Sequence, residues 1–163
     1  VTVRSPVVLA LAALLLAPGA AAEDLHVLWD RQCGGCHGHA GPFARATLDV
    51  VDGVLRDKAG RDTAEFLRRH NGGYNPDQIA AILGMLRAQT DSGDLFRRKC
   101  GECHGTAAEL VRGQLVRRDG VLTVRASGRS MAEVLRRHGD LEDAEAAALL
   151  DVLERIDGEV RHR

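Results

Sequence analysis

Two short stretches of the chain have the residue types and spacing to do chemistry. Cys33-Gly34-Gly35-Cys36-His37 returns 67 residues later as Cys100-Gly101-Glu102-Cys103-His104, and the two together use all four cysteines of the 163-residue sequence. Two thiols one helical turn apart, followed at once by an imidazole, form the attachment site of a c-type haem. The sulfurs make thioethers with the porphyrin vinyl groups and the histidine reaches the iron from one side. Paired Cys-x-x-Cys sequences also build tetrahedral zinc sites or act singly as redox-active dithiols, and for bare Cys-x-x-Cys zinc ranks first. A histidine directly after both pairs reverses that order. The expectation is two haem c groups, covalently attached through Cys33, Cys36, Cys100 and Cys103, with His37 and His104 as proximal iron ligands.

The elements that position these motifs repeat as well. Leu28-Trp29 stands 67 residues before Leu95-Phe96, Gly38 before Gly105, Leu48 before Leu115, and Asp52-Gly53-Val54-Leu55 before Asp119-Gly120-Val121-Leu122. One residue is then inserted in the second copy, pairing Gly60-Arg61 with Gly128-Arg129 and Ala64-Glu65-Phe66-Leu67-Arg68-Arg69-His70 with Ala132-Glu133-Val134-Leu135-Arg136-Arg137-His138. A later deletion restores the first offset, so that Ile82 to Leu86 matches Leu149 to Leu153. Each copy reads as a helix, the cysteine motif, an irregular segment with an Asp-Gly turn, a second helix, a short loop and a last helix. Leu115-Val116 and Val121 to Val124 could form a small hairpin, with a weaker match at Leu48 to Val51 and Val54-Leu55. The last helices should begin near Pro76 and Glu142, where a proline and acidic side chains suit a first turn. The expected fold is all-α: two tandem haem domains, 23–90 and 91–163, joined near Thr90-Asp91-Ser92-Gly93.

Residues 1–22 read as an export signal, with Arg4 in a positive n-region, an apolar run from Val7 to Ala17, and Ala20-Ala21-Ala22 as an A-x-A cleavage site. The apolar run is short and Ala-rich for a membrane span, and no later stretch is long enough. With Val1 pointing to an alternative start codon, the expected address is a bacterial periplasm, which also suits occupied or oxidised cysteines; an uncleaved N-terminal anchor is the competing reading. The mature form would have 21 Lys and Arg against 23 Asp and Glu. No basic excess exists to neutralise phosphates, which argues against nucleic acid. Units of some 70 residues bury only about 60% of their unfolded surface. With one Trp, one Tyr and three Phe in the chain, each unit needs a large apolar cofactor as a staple.

Gly93-Asp94-Leu95-Phe96, followed by Lys99-Cys100-Gly101-Glu102-Cys103-His104-Gly105, resembles the first helix and haem signature of class I c-type cytochromes, in their tandem dihaem form. The resemblance is strong at both motifs and holds in outline elsewhere. It implies a helical fold wrapped around haem, electron transfer with redox partner proteins, and usually a methionine as sixth ligand in the loop before the last helix. This sequence departs from that last feature. Met85 aligns with Val152 and Met131 with Thr63, so neither has a methionine twin and both read as core or helix-surface residues. His70 and His138 are twinned, each at the end of an amphipathic helix before the loop to the last helix. Alone, either would be a helix C-terminal histidine answering the dipole; twinned beside two cysteine motifs, they read as the distal ligands. His39 lies too near a proximal ligand, and His26 and His162, without twins, read as solvent-exposed. Arg61/Arg129, Arg68/Arg136 and Arg69/Arg137 are candidates for the haem propionates, against a reading as solvated helix charges.

The sequence thus predicts a periplasmic dihaem electron carrier, bis-histidine ligated, with no membrane span in the mature form and no catalytic residues of its own. The competing readings are a dihaem peroxidase or reductase with one open iron position, a haem-based gas sensor, and the cytochrome subunit of a larger periplasmic oxidoreductase.

Overall fold

The structure is a computed structural model that describes residues 23–70, 73–138 and 140–161. The expected export signal at 1–22 and His162 lie outside the described residues. The described chain is mostly helical with two small antiparallel two-stranded sheets. Its order is α1 (Leu25–Gln32), α2 (Gly34–His37), α3 (Ala40–Thr47), β1 (Leu48–Val51), β2 (Val54–Asp57), α4 (Thr63–Arg69) and α5 (Pro76–Asp91). The same order follows again as α6 (Leu95–Lys99), α7 (Gly101–His104), α8 (Ala107–Gln114), β3 (Leu115–Arg118), β4 (Val121–Val124), α9 (Met131–Leu135) and α10 (Asp143–Arg161).

Each half buries its own core. Trp29, Ala44, Leu48, Leu55, Ile82 and Leu86 gather in the first, and Phe96, Val111, Leu115, Leu122, Leu149 and Leu153 in the second. These are the apolar positions that the repeat pairs. Both hairpins form, the weaker first one included. Asp52 and Asp119 take φ of 50° and 49°, and the following Gly53 and Gly120 take 76° and 80°. Two consecutive positive φ values make the two-residue turn whose twist matches the strands, and Asp-Gly is among the sequences that reach it at least cost. The register Val51↔Val54 and Arg118↔Val121 follows from that turn.

Two expectations are corrected. The segment after each cysteine motif, expected to be irregular, contains the eight-residue helices α3 and α8. Gly41 and Pro42 suggest a loop, yet both fall in the first turn of α3, where a missing backbone N–H breaks no intrahelical bond. In α8 the cue was a capping box: Thr106 accepts from the Glu109 backbone and the Glu109 carboxylate accepts from the Thr106 backbone. The second correction concerns the join. Thr90 and Asp91 belong to the last turn of α5, so only Ser92, Gly93 and Asp94 connect it to α6.

Candidate functional site

The helix leading into each motif is stopped by the motif, and the first is also capped at its start. Asp24 caps α1, its Oδ1 accepting from the backbone of His26 at 3.0 Å and Val27 at 3.1 Å. At the other end Cys33 N–H donates to Trp29 at 2.8 Å and His37 N–H to Cys33 at 2.9 Å. The second half repeats this with Cys100 to Phe96 at 2.8 Å and His104 to Cys100 at 3.0 Å. Gly38 and Gly105 end α2 and α7 with φ of 65° in both halves, a left-handed conformation that glycine adopts without steric cost. The chain therefore leaves His37 and His104 in the same way.

Cys33 and Cys100 are half-buried while Cys36 and Cys103 are exposed, and all four are free thiols. Burial pushes the Cys33 thiol up, opposed by the Tyr74 hydroxyl 4.0 Å away, and burial likewise pushes Cys100 up. At neutral pH both therefore stay protonated.

The hairpins position the second histidine of each half. β2 bridges from Arg56 to Asp62, the residue that caps α4, and β4 bridges from Thr123 to Ser130, which caps α9. Leu67 and Leu135 anchor these helices in the cores. His70 then terminates α4, and His138 lies three residues beyond α9. This brings His70 to His37 with ring centres 6.0 Å apart and planes at 61°. His138 meets His104 at 6.0 Å and 58°. In contrast, Phe66 and His70 stack directly at 4.5 Å. Two imidazoles sharing one metal ion need ring centres about 6 Å apart, given metal–nitrogen bonds of about 2 Å. Both histidine pairs fit that requirement, in two halves whose surrounding side chains differ.

Those surroundings are richer in aromatic side chains in the first half than in the second. Trp29 is 3% exposed, donates from Nε1 to the Gly38 carbonyl at 2.7 Å and packs on Phe43 at 5.1 Å, which meets the His37 ring edge-on at 4.7 Å. The repeat puts Phe96, Leu110 and Val134 where the first half has Trp29, Phe43 and Phe66. A cavity of about 400 Å³ opens beside the first pair, lined by Cys33, Cys36, His37, Phe66, His70 and Tyr74 among others. Thr63 also lines it, and its buried hydroxyl has no hydrogen-bond partner. An apolar cleft with both thiols at its wall, and a buried hydroxyl left without an acceptor, fits a large apolar group carrying carboxylates.

Of the candidate arginines, Arg61 lines the same cavity, pairs with Asp57 at 2.6 Å and lies 5.6 Å above the Phe66 ring. Hydrogen bonds from the Arg61 backbone and side chain hold Asp57 below the usual carboxylate range, against a smaller opposing effect of burial. Arg69 pairs with Glu65, and Arg129 and Arg137 both pair with Glu133, at 3.1 and 3.6 Å. Met85 and Met131 sit in the two cores at 1% and 6% exposure. Among the described residues no three His, Cys, Asp or Glu side chains converge where a bare metal ion would be held. His26 corrects its expectation: its side chain is 13% exposed and bonds Glu159 at 2.8 Å, because α1 packs against α10 of the other half.

Sequence reasoning passed over Thr63, Phe66 and Tyr74 as site residues, because the repeat gives them no polar twin and twinning was the signal in use. No family model, curated protein or solved structure gives a significant match to this chain.

Proposed function

We propose that the chain is a periplasmic electron carrier with two covalently attached haem c groups, a dihaem member of the c-type cytochromes. The observation that supports this most is the 6.0 Å spacing of two histidine pairs, each beside its own Cys-x-x-Cys-His. When bound, haem supplies reversible one-electron chemistry at its iron.

The chain's own residues would hold and tune that group. Cys33 and Cys36, and Cys100 and Cys103, tether it. His37 and His104 are proximal ligands, with His70 and His138 as distal ones. The Trp29 bond to Gly38 fixes the chain just past His37, so the imidazole is presented at a set angle. Thr63 and Arg61 offer donors to a carboxylate at the first cavity. Were haem held between His37 and His70, and between His104 and His138, the paired imidazoles would leave neither site an open position for a substrate. No helix among the described residues is long and apolar enough to cross a membrane.

Mass spectrometry of the protein produced alongside the cytochrome c maturation machinery tests the reading. Two haem adducts per chain are expected. A zinc adduct, or an unmodified chain, overturns it.

A further inference from the structure

The repeat twins Arg45 with Arg112, 67 residues apart on the corresponding helices α3 and α8. Neither bonds within its own half. Arg45 reaches Asp94, the residue before α6, at 2.9 Å, and Arg112 reaches Asp24, the residue before α1, at 2.9 Å. Both aspartates directly precede the helix that leads into the cysteine motif; Asp24 caps α1, whereas Asp94 makes no capping hydrogen bond to α6. They lie 70 rather than 67 residues apart because α6 is three residues shorter than α1, five against eight. Each half thus gives an arginine to the other's aspartate and receives one in return. This is the reciprocity of a twofold interface, here within a single chain.

Each bridge also joins the two sites mechanically. Arg45 and Arg112 lie on helices that begin three residues after His37 and His104, while Asp24 and Asp94 lie on the approaches to Cys33 and Cys100. The segments just past both proximal histidines, His39 to Pro42 and Gly105 to Ala108, line one groove between the halves. Within it Gly41 matters, since a Cβ there would stand 3.2 Å from the Arg45 guanidinium and 3.2 Å from the Gln89 side chain. Asp24 does double duty, its Oδ1 capping α1 and its Oδ2 receiving Arg112. The buried His26–Glu159 contact adds a third link, outside the symmetric pair.

We propose that Arg45 and Arg112 are positioning residues that lock the two halves as a fused symmetric pair, fixing the proximal sides of the two sites toward each other for electron exchange between them. This rests on the functional reading above. Neither arginine touches the histidine pairs, so their loss changes the relation between sites and leaves each site as it was.

The test compares wild type, Arg45→Met with Arg112→Met, and the swapped pair Arg45→Asp with Asp94→Arg. With both haems attached, rapid one-electron reduction followed optically reads the rate of exchange between the two sites. The double variant should slow it by about tenfold, within the range by which interface substitutions alter coupling between sites, with visible spectra and both midpoint potentials unchanged. The swapped pair should restore most of the rate. Small-angle X-ray scattering of each protein as purified should show a larger radius of gyration for the double variant. An unaltered exchange rate in a fully haem-loaded double variant overturns the inference and leaves the functional reading standing. A wild-type chain without haem overturns the functional reading and the exchange with it, and unchanged scattering in the double variant then overturns the locking as well.

Discussion

Trp29→Phe removes one hydrogen bond and half of one ring from the wall of the first site, and both losses can be sized. The indole N–H donates to the Gly38 carbonyl at 2.7 Å. Because Gly38 is itself exposed, its carbonyl recovers a water partner, and the loss sits at the low end for a broken hydrogen bond, about 1 kcal/mol. The ring is 3% exposed against Phe43 and His37, and trimming an indole to a phenyl there leaves a void costing about 1–2 kcal/mol. The total is about 2–3 kcal/mol. For a unit of this size, where each kcal/mol moves the melting temperature by about 4–8 °C, the first half should melt about 10–20 °C lower. The second half has Phe96 at the matching place and serves as an internal control. Differential scanning calorimetry of the haem-loaded protein is the assay. A shift under about 3 °C would mean that the Trp29–Gly38 bond does not hold the chain past His37, and the reasoning about that residue fails.

Asp157 is 1% exposed and bound by Arg117 at 3.1 Å and by Arg161. Burial alone would raise its carboxyl, but hydrogen bonds from Arg161 and Arg117 prevail and hold it below the usual range. A depressed folded value adds stability above the unfolded pKa of about 3.9 and loses it as pH falls through the folded value. Asp157→Asn should therefore destabilise at pH 7 and flatten the acid limb below about pH 4 in urea melts; an unchanged limb contradicts the assignment. Met85→Leu, a volume-conserving change in a packed core, should cost under about 1.5 kcal/mol and leave the visible spectrum alone. A Met-sulfur charge-transfer band that disappears in that variant would displace His70 as ligand. His26→Ala should cost about 1 kcal/mol, since Glu159 keeps Arg155; a much larger loss by chemical denaturation would make His26 the main link between halves. Replacing Cys100 and Cys103 with serine should lower the helix signal of the second half far more than that of the first, and equal loss would mean a single cooperative unit.

Much of this was legible because the sequence states its chemistry twice. Twinned positions that carry side-chain identity, such as His70 and His138, come together in space with His37 and His104 at matching distances. Helices α1 and α5 follow apolar periodicity and capping residues, α6 and α10 follow apolar periodicity, and both hairpins follow Asp-Gly. The misses have local physical reasons. Gly41 and Pro42 look like loop residues unless their place in a first turn is known, and the Thr106–Glu109 box was present but overlooked. His26 was misjudged because its burial comes from α10, more than 100 residues away, through a contact that no local pattern encodes. The reciprocal bridges were hidden for a related reason. Arg45 and Arg112 are visible as twins, but their acceptors are offset by the shorter α6, so a fixed-offset comparison sets Asp24 beside Asp91 instead of Asp94.

What occupies the two histidine pairs decides the function of the chain. Optical and electron paramagnetic resonance spectra of the purified, haem-loaded protein report the number of haems and their axial ligands together. Two low-spin ferric signals of bis-imidazole type are expected, neither changed by added cyanide or carbon monoxide, and each lost separately in His70→Ala and His138→Ala. A persistent high-spin signal in wild type, unchanged by His138→Ala, would contradict bis-histidine ligation in the second half and put an open, reactive iron in its place.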